Sequence, residues 1–174
     1  STMCLNAAAV TLVGSPLGGT FSGIGITGNT FNPAIAGAGG PYSITYTYTD
    51  PGTGCTNTSI QTVTVNPVAS FSGLSGPYCT TDPSVTLTGS PSGGTFSGPG
   101  MVGNIFNPAI AGVGTHSISY TYTIGLCSSI ATLSVTVLPN YVITATAGTG
   151  GTISPLGATT VGSGGGQAST IAAN

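Results

Sequence analysis

The 174-residue chain contains no lysine, no arginine and no tryptophan, and its two acidic residues and single histidine leave a formal net charge of -2. Ordinary soluble domains carry about 25% charged residues. Here 1% are charged, so the surface must be made of Thr, Ser, Asn, Gly and apolar groups. With no Lys or Arg to neutralise phosphates, nucleic acid is excluded as a partner, and so is a polybasic route to anionic lipid. Lys-Asn isopeptide cross-links are impossible for the same reason. Long apolar runs are also missing, so the sequence shows no transmembrane segment. The start at Ser1 has no basic stretch followed by an apolar one, and any signal peptide is expected to have been removed. No segment shows helical periodicity.

What is present favours strands. Val, Ile, Tyr and Thr are abundant, and the mean hydropathy is +0.42. Low charge here therefore does not signal disorder. It does leave little electrostatic protection against association. Four cysteines, one near the start and one near the end of each of two repeats, point to an oxidising compartment.

Those repeats organise the chain. Gly14-Ser15-Pro16-Leu17-Gly18-Gly19-Thr20-Phe21-Ser22-Gly23 recurs as Gly89-Ser90-Pro91-Ser92-Gly93-Gly94-Thr95-Phe96-Ser97-Gly98, an offset of 75 (89 − 14). Phe31 to Gly37 recurs unchanged as Phe106 to Gly112, and Cys4 recurs as Cys79. The offset then falls to 74 at Tyr46 and Tyr120, and to 72 at Cys55 and Cys127 and at Pro67 and Pro139. Each step is a deletion in a turn, where surface backbone tolerates it.

Period-two alternation marks the strands. Tyr42, Ile44, Tyr46 and Tyr48 alternate with Ser43, Thr45, Thr47 and Thr49, and the copy aligns His116, Ile118, Tyr120 and Tyr122. Val63 and Val65, like Leu133, Val135 and Val137, mark the last strand of each repeat. Ala69 to Gly73 reads as a short strand opening the second repeat. Only three residues precede Cys4, so the first repeat has no counterpart to that strand here; either the chain was cut, or another chain supplies it. The expected class is all-β: residues 1-67 form one module without its opening strand, 68-139 a second, and 140-174 a partial β unit with a flexible break at Gly162 to Gly166. Modules of about seventy residues sit near the lower size limit for independent stability.

The series Cys79, Asp82-Pro83, Val85-Thr86-Leu87-Thr88-Gly89, Gly94-Thr95-Phe96-Ser97-Gly98, Phe106-Asn107-Pro108, Gly114, Ser119-Tyr120-Thr121-Tyr122 and Cys127 resembles the Ig-like repeats of large secreted and cell-surface adhesins of Bacteroidota. The resemblance covers residues 1 to 139, and residues 140 to 174 resemble the first half of a divergent InlB-type B repeat. It implies tandem immunoglobulin-like β-sandwich modules, type IX secretion across both membranes, roles in adhesion, gliding or surface filaments, and no catalytic residues.

Pairing Cys4 with Cys55 and Cys79 with Cys127 would tie each module's entry to the residue before its last strand. Each bond would close a loop of about fifty residues and stabilise by roughly 4 kcal/mol. Inter-chain pairing and free thiols remain the alternatives, while the wide spacing argues against a metal site.

Other motifs carry less. Gly23 to Gly28 and Gly98 to Gly103 both match GxGxxG, but no helix-forming pattern comes after them, and a dinucleotide site needs one. His116 aligns with Tyr42 and reads as a packing position. Asp50 and Asp82 both precede proline in turns and form no pair for acid-base work or calcium. Asn57-Thr58-Ser59 is a formal glycosylation sequon. The sheet edges lack the charges that commonly block edge-to-edge pairing, although Pro41 and Pro139 could serve instead.

The expected function is a structural or adhesive repeat segment of a bacterial extracellular filament or giant surface adhesin, assembling by strand exchange and located outside the cell or on its surface. Its partners would be copies of itself, neighbouring repeats or surface glycans. No catalytic, cofactor-binding or metal-binding residue is expected. The competing expectations are a carbohydrate- or host-surface-binding module using tips such as Gly98 to Asn104, and a non-catalytic spacer of a secreted hydrolase.

Overall fold

The computed structural model describes residues 1–163 and 165–173, and it is all-β apart from two single helical turns. The first repeat runs β1 (Thr2–Cys4), β2 (Val10–Thr11), β3 (Thr20–Ser22), β4 (Ile26–Thr27), β5 (Thr30–Phe31), α1 (Pro33–Ala36), β6 (Gly39–Thr49) and β7 (Thr56–Asn66). The second opens with β8 (Ser70–Ser72) and continues as β9 (Tyr78–Cys79), β10 (Val85–Thr86), β11 (Thr88–Ser90), β12 (Thr95–Ser97), β13 (Met101–Val102) and β14 (Ile105–Phe106). It closes with α2 (Pro108–Ala111), β15 (Gly114–Ile124) and β16 (Cys127–Leu138). The chain goes on through β17 (Asn140–Ala145), β18 (Gly151–Ser154), β19 (Gly157–Gly162) and β20 (Thr170–Ala173). Gly164, inside the glycine-rich stretch read as a break, lies outside the described residues.

Each repeat builds the same two sheets. One has the order β1-β7-β6-β3 in the first copy and β9-β16-β15-β12 in the second; the other is β2-β5-β4 and β10-β14-β13. The inward residues of the two sheets share one cluster, so each repeat is a sandwich. In the first, Phe31 of β5 packs with Val63 and Val65 of β7. In the second, Phe106 of β14 packs with Ile118, Val135 and Val137. The alternation read from the sequence is the cause, since it puts one face of each long strand against the facing sheet and leaves Ser and Thr outside.

The entry strands lie parallel to the far end of the last strand, with Cys4 opposite Asn66 and Cys79 opposite Leu138. The two helical turns were not foreseen, because four residues are too few to show a period. Asn32 caps the first by accepting the Ala34 N–H at 2.9 Å, Pro33 supplies the first helical position, and Gly37 ends it with φ +82°. Asn107, Pro108 and Gly112 repeat the device.

After the second repeat, β17 pairs antiparallel with β19, and β18 with β20, as two separate two-stranded sheets. Two strands have little core of their own. In space the chain divides into a unit of Ser1–Ala69 with Tyr122–Ile130, and one of Ser70–Thr121 with Ala131–Asn174. No helix among the described residues is long and apolar enough to cross a membrane.

Candidate functional site

The two copies differ most where β8 lies. In the second repeat β8 pairs antiparallel with β11, with Ser72 opposite Thr88, Phe71 opposite Gly89 and Ser70 opposite Ser90. Phe71 meets Phe96 edge-on, with ring centroids 5.4 Å apart. Phe71 and Leu74 close over the core. Beneath this cover Leu87, Ile118 and Tyr120 are 1%, 0% and 2% exposed.

The first repeat has the same floor without the cover. Leu12, Ile44 and Tyr46, which align with Leu87, Ile118 and Tyr120, are all only half-buried. Val13–Ser15, the counterpart of β11, belongs to no sheet among the described residues, and Val13 is 84% exposed. A groove of about 420 Å³ runs along this segment, floored by Leu12, Phe21, Ile44 and Tyr46.

The contacts that shape the groove repeat those of the covered copy. The Tyr46 hydroxyl donates to the Pro16 carbonyl and accepts the Gly19 N–H at 2.9 Å. Tyr120 makes the same pair of bonds with Pro91 and Gly94. Phe21 packs on Tyr46 at 4.7 Å and Phe96 on Tyr120 at 4.6 Å. A Cβ on Gly14 would lie 2.1 Å from the Tyr46 ring, and one on Gly89 2.2 Å from Tyr120, so both positions require glycine. The apolar floor, bordered by Ser1, Ser59, Gln61 and Thr62, lies beside backbone that belongs to no ladder among the described residues.

The cysteines are not joined within repeats. Cys4 is bonded to Cys127, at a sequence separation of 123, while Cys55 is an exposed free thiol and Cys79 a half-buried one. This corrects the Cys4–Cys55 and Cys79–Cys127 pairing. The reason lies in the strand register. Cys4 sits opposite Asn66, and Cys55 precedes the other end of β7, so strand rise puts roughly 35 Å between them. Cys79 opposite Leu138 and Cys127 at the start of β16 are separated in the same way. A disulfide spans about 4.4–6.8 Å between Cα atoms.

The remaining candidates serve the backbone. His116 Nε2 lies 2.8 Å from the Gly112 carbonyl, and the aligned Tyr42 hydroxyl donates to Gly37 at 3.4 Å, so both side chains tie down the end of a helical turn. Asp50 accepts N–H bonds from Gly52 and Thr53 at 2.8 and 2.9 Å. Those bonds, that from Thr53 first, hold its carboxyl below the usual range. Asp82 accepts the Cys79 N–H at 2.8 Å. Among the described residues no three His, Cys, Asp or Glu side chains cluster as a metal would require.

The glycines of both GxGxxG matches form turns around β4 and β13, and each match leads into a short strand rather than a helix. Asn57 of the sequon is exposed on β7 and accepts the Thr58 N–H. The tip at Gly98 to Asn104 borders a groove of about 490 Å³, but Asn104 already donates to Leu87 and the Tyr120 hydroxyl is engaged. The exposed Thr88, Ser92 and Thr95 also line this groove.

Sequence reading missed the tyrosine lock and the role of Phe71. The signal was available: Gly14 and Gly19 stand at the same spacing before Tyr46 as Gly89 and Gly94, within one residue, before Tyr120. No protein family matches the chain, and neither a characterised protein nor a solved structure matches it.

Proposed function

We propose that this chain is a structural or adhesive repeat segment of an extracellular filament or giant surface adhesin, in which sandwich modules are joined in series by strand addition. The observation that carries the reading is the uncovered floor of the first repeat. Leu12, Ile44 and Tyr46 form a floor whose copy is buried under β8, and Val13–Ser15 offers its backbone beside it. A lone module would leave this apolar floor in water, whereas a module in series covers it.

Further features support the role. The surface carries almost no charge, so like modules approach one another without electrostatic opposition. In an array, neighbour interfaces add to the stability of modules too small to be robust alone. The Cys4–Cys127 bond suits an oxidising location outside the cell. The role is non-catalytic, with the one imidazole and both carboxylates committed to backbone groups. Partners are other copies or neighbouring repeats, with surface glycans as a target for adhesion.

Surface labelling of intact source cells tests the reading. Antibody against this chain should decorate extended extracellular material, and exclusive recovery from the cytosolic fraction would overturn it.

A further inference from the structure

We propose that the Cys4–Cys127 disulfide is a tension bypass: a pull applied on the N-terminal side of Cys4 and the C-terminal side of β16 crosses the sulfur bridge and one strand, and unfolds neither sandwich. The path of the tension follows from connectivity alone. That the chain is under tension in service rests on the serial reading above.

Without the bond, such a pull would be carried by every residue between positions 4 and 127, and lengthening would unravel the strands that build both repeats. With it, the covalent path is short. It runs along β1, crosses from Cys4 to Cys127, whose Cα atoms lie 5.5 Å apart, and follows β16 to Leu138. The residues in between, a sequence separation of 123, form a closed loop off the path. Phe31, Val63 and Val65 of the first core lie in that loop, as do Phe106 and Ile118 of the second.

The strands that remain in the path have no slack. β1 has three residues and β16 twelve. A strand rises about 3.3 Å per residue, close to the limit of about 3.6 Å for a stretched chain. β16 is pulled at its own two ends, so the force runs along it and does not shear it from β15 and β9, which flank it. β1 is likewise anchored at its last residue by the bond, which keeps Thr2–Cys4 from sliding past Thr64–Asn66 of β7.

The pairing itself matters to this result. Bonds within each repeat would leave residues 56–78 in the path, and with them β8, which is held to β11 over only three residue pairs and covers the second core. The observed bond takes β8 out of the path. Each sandwich then keeps its folded surface while the chain is stretched.

Single-molecule stretching of the full chain, held through peptide tags fused at both ends, tests the bypass. In the oxidised chain residues 140–174 should pull out, about 12 nm of contour, and lengthening should stop there. Reduction of the bond should add about 40 nm, the contour of the 123-residue closure. That added length is read whether or not the reduced modules keep their fold, and the Cys4→Ser/Cys127→Ser chain should show it without a reductant. Under constant force a small dithiol should release it in single steps that come sooner as the force rises, because thiolate attack lengthens a bond that is carrying the pull. Unfolding steps beyond about 12 nm in the oxidised chain would overturn the bypass, as would step times that do not change with force. Either failure leaves the surface location, tested by labelling cells, where it stands. Recovery from the cytosol alone would end the serial role and leave the tension path intact.

Discussion

At the scale of single residues, the tyrosine at the centre of each long strand does more than fill space. Tyr120 is buried and its hydroxyl serves both the Pro91 carbonyl and the Gly94 N–H. Tyr120→Phe strands both groups and should cost about 1–3 kcal/mol in denaturant unfolding. Tyr46→Phe should cost less, because water reaches the half-buried first copy; equal losses would contradict the difference between the two sites. Cys4→Ser opens a closure of 123 residues and should lower stability by about 2–5 kcal/mol, read as a lower denaturation midpoint in the oxidised chain. For Asp50 the depressed folded-state value means that its contribution is present above the normal carboxylate range and lost as pH falls through the folded value. Protection of the Gly52 and Thr53 amides, measured against their intrinsic exchange rate at each pH, should therefore be lost only below the ordinary carboxylate range, and no protection at neutral pH would refute the turn.

At the scale of elements, the contrast between Val13–Ser15 and β11 is the most direct statement the molecule makes. The amides of Thr88–Ser90 should be protected from hydrogen exchange and those of Val13–Ser15 should not, until a strand is added. Phe71→Ala should cost about 2–3 kcal/mol in the second repeat, because it removes the contact with Phe96. A purely local role for Phe71 in its loop would leave the unfolding of that repeat unchanged. Much of this layer was legible beforehand. Alternation located the long strands, and aligning the two copies left Ala69 to Gly73 without a counterpart in repeat one. The cysteine pairing was not legible, because it depends on β1 and β9 running parallel to the far end of the last strand, and no side-chain pattern reports strand direction. The helical turns could have been read from Asn-Pro at one end and Gly at the other, which are capping signals rather than periodic ones.

At the scale of the whole molecule, three features bear on the serial reading. The floor of repeat one is uncovered, the segment after repeat two has apolar residues in water, and one thiol of each repeat is unpaired. The near-absence of charge fits a series of modules, because little on either surface opposes close approach. The most direct measurement is cryo-electron microscopy of the full chain after oxidation. The account predicts sandwich modules joined in series, with an added strand lying along Val13–Ser15. Separate single particles, or fibres in which that groove is empty, would contradict it.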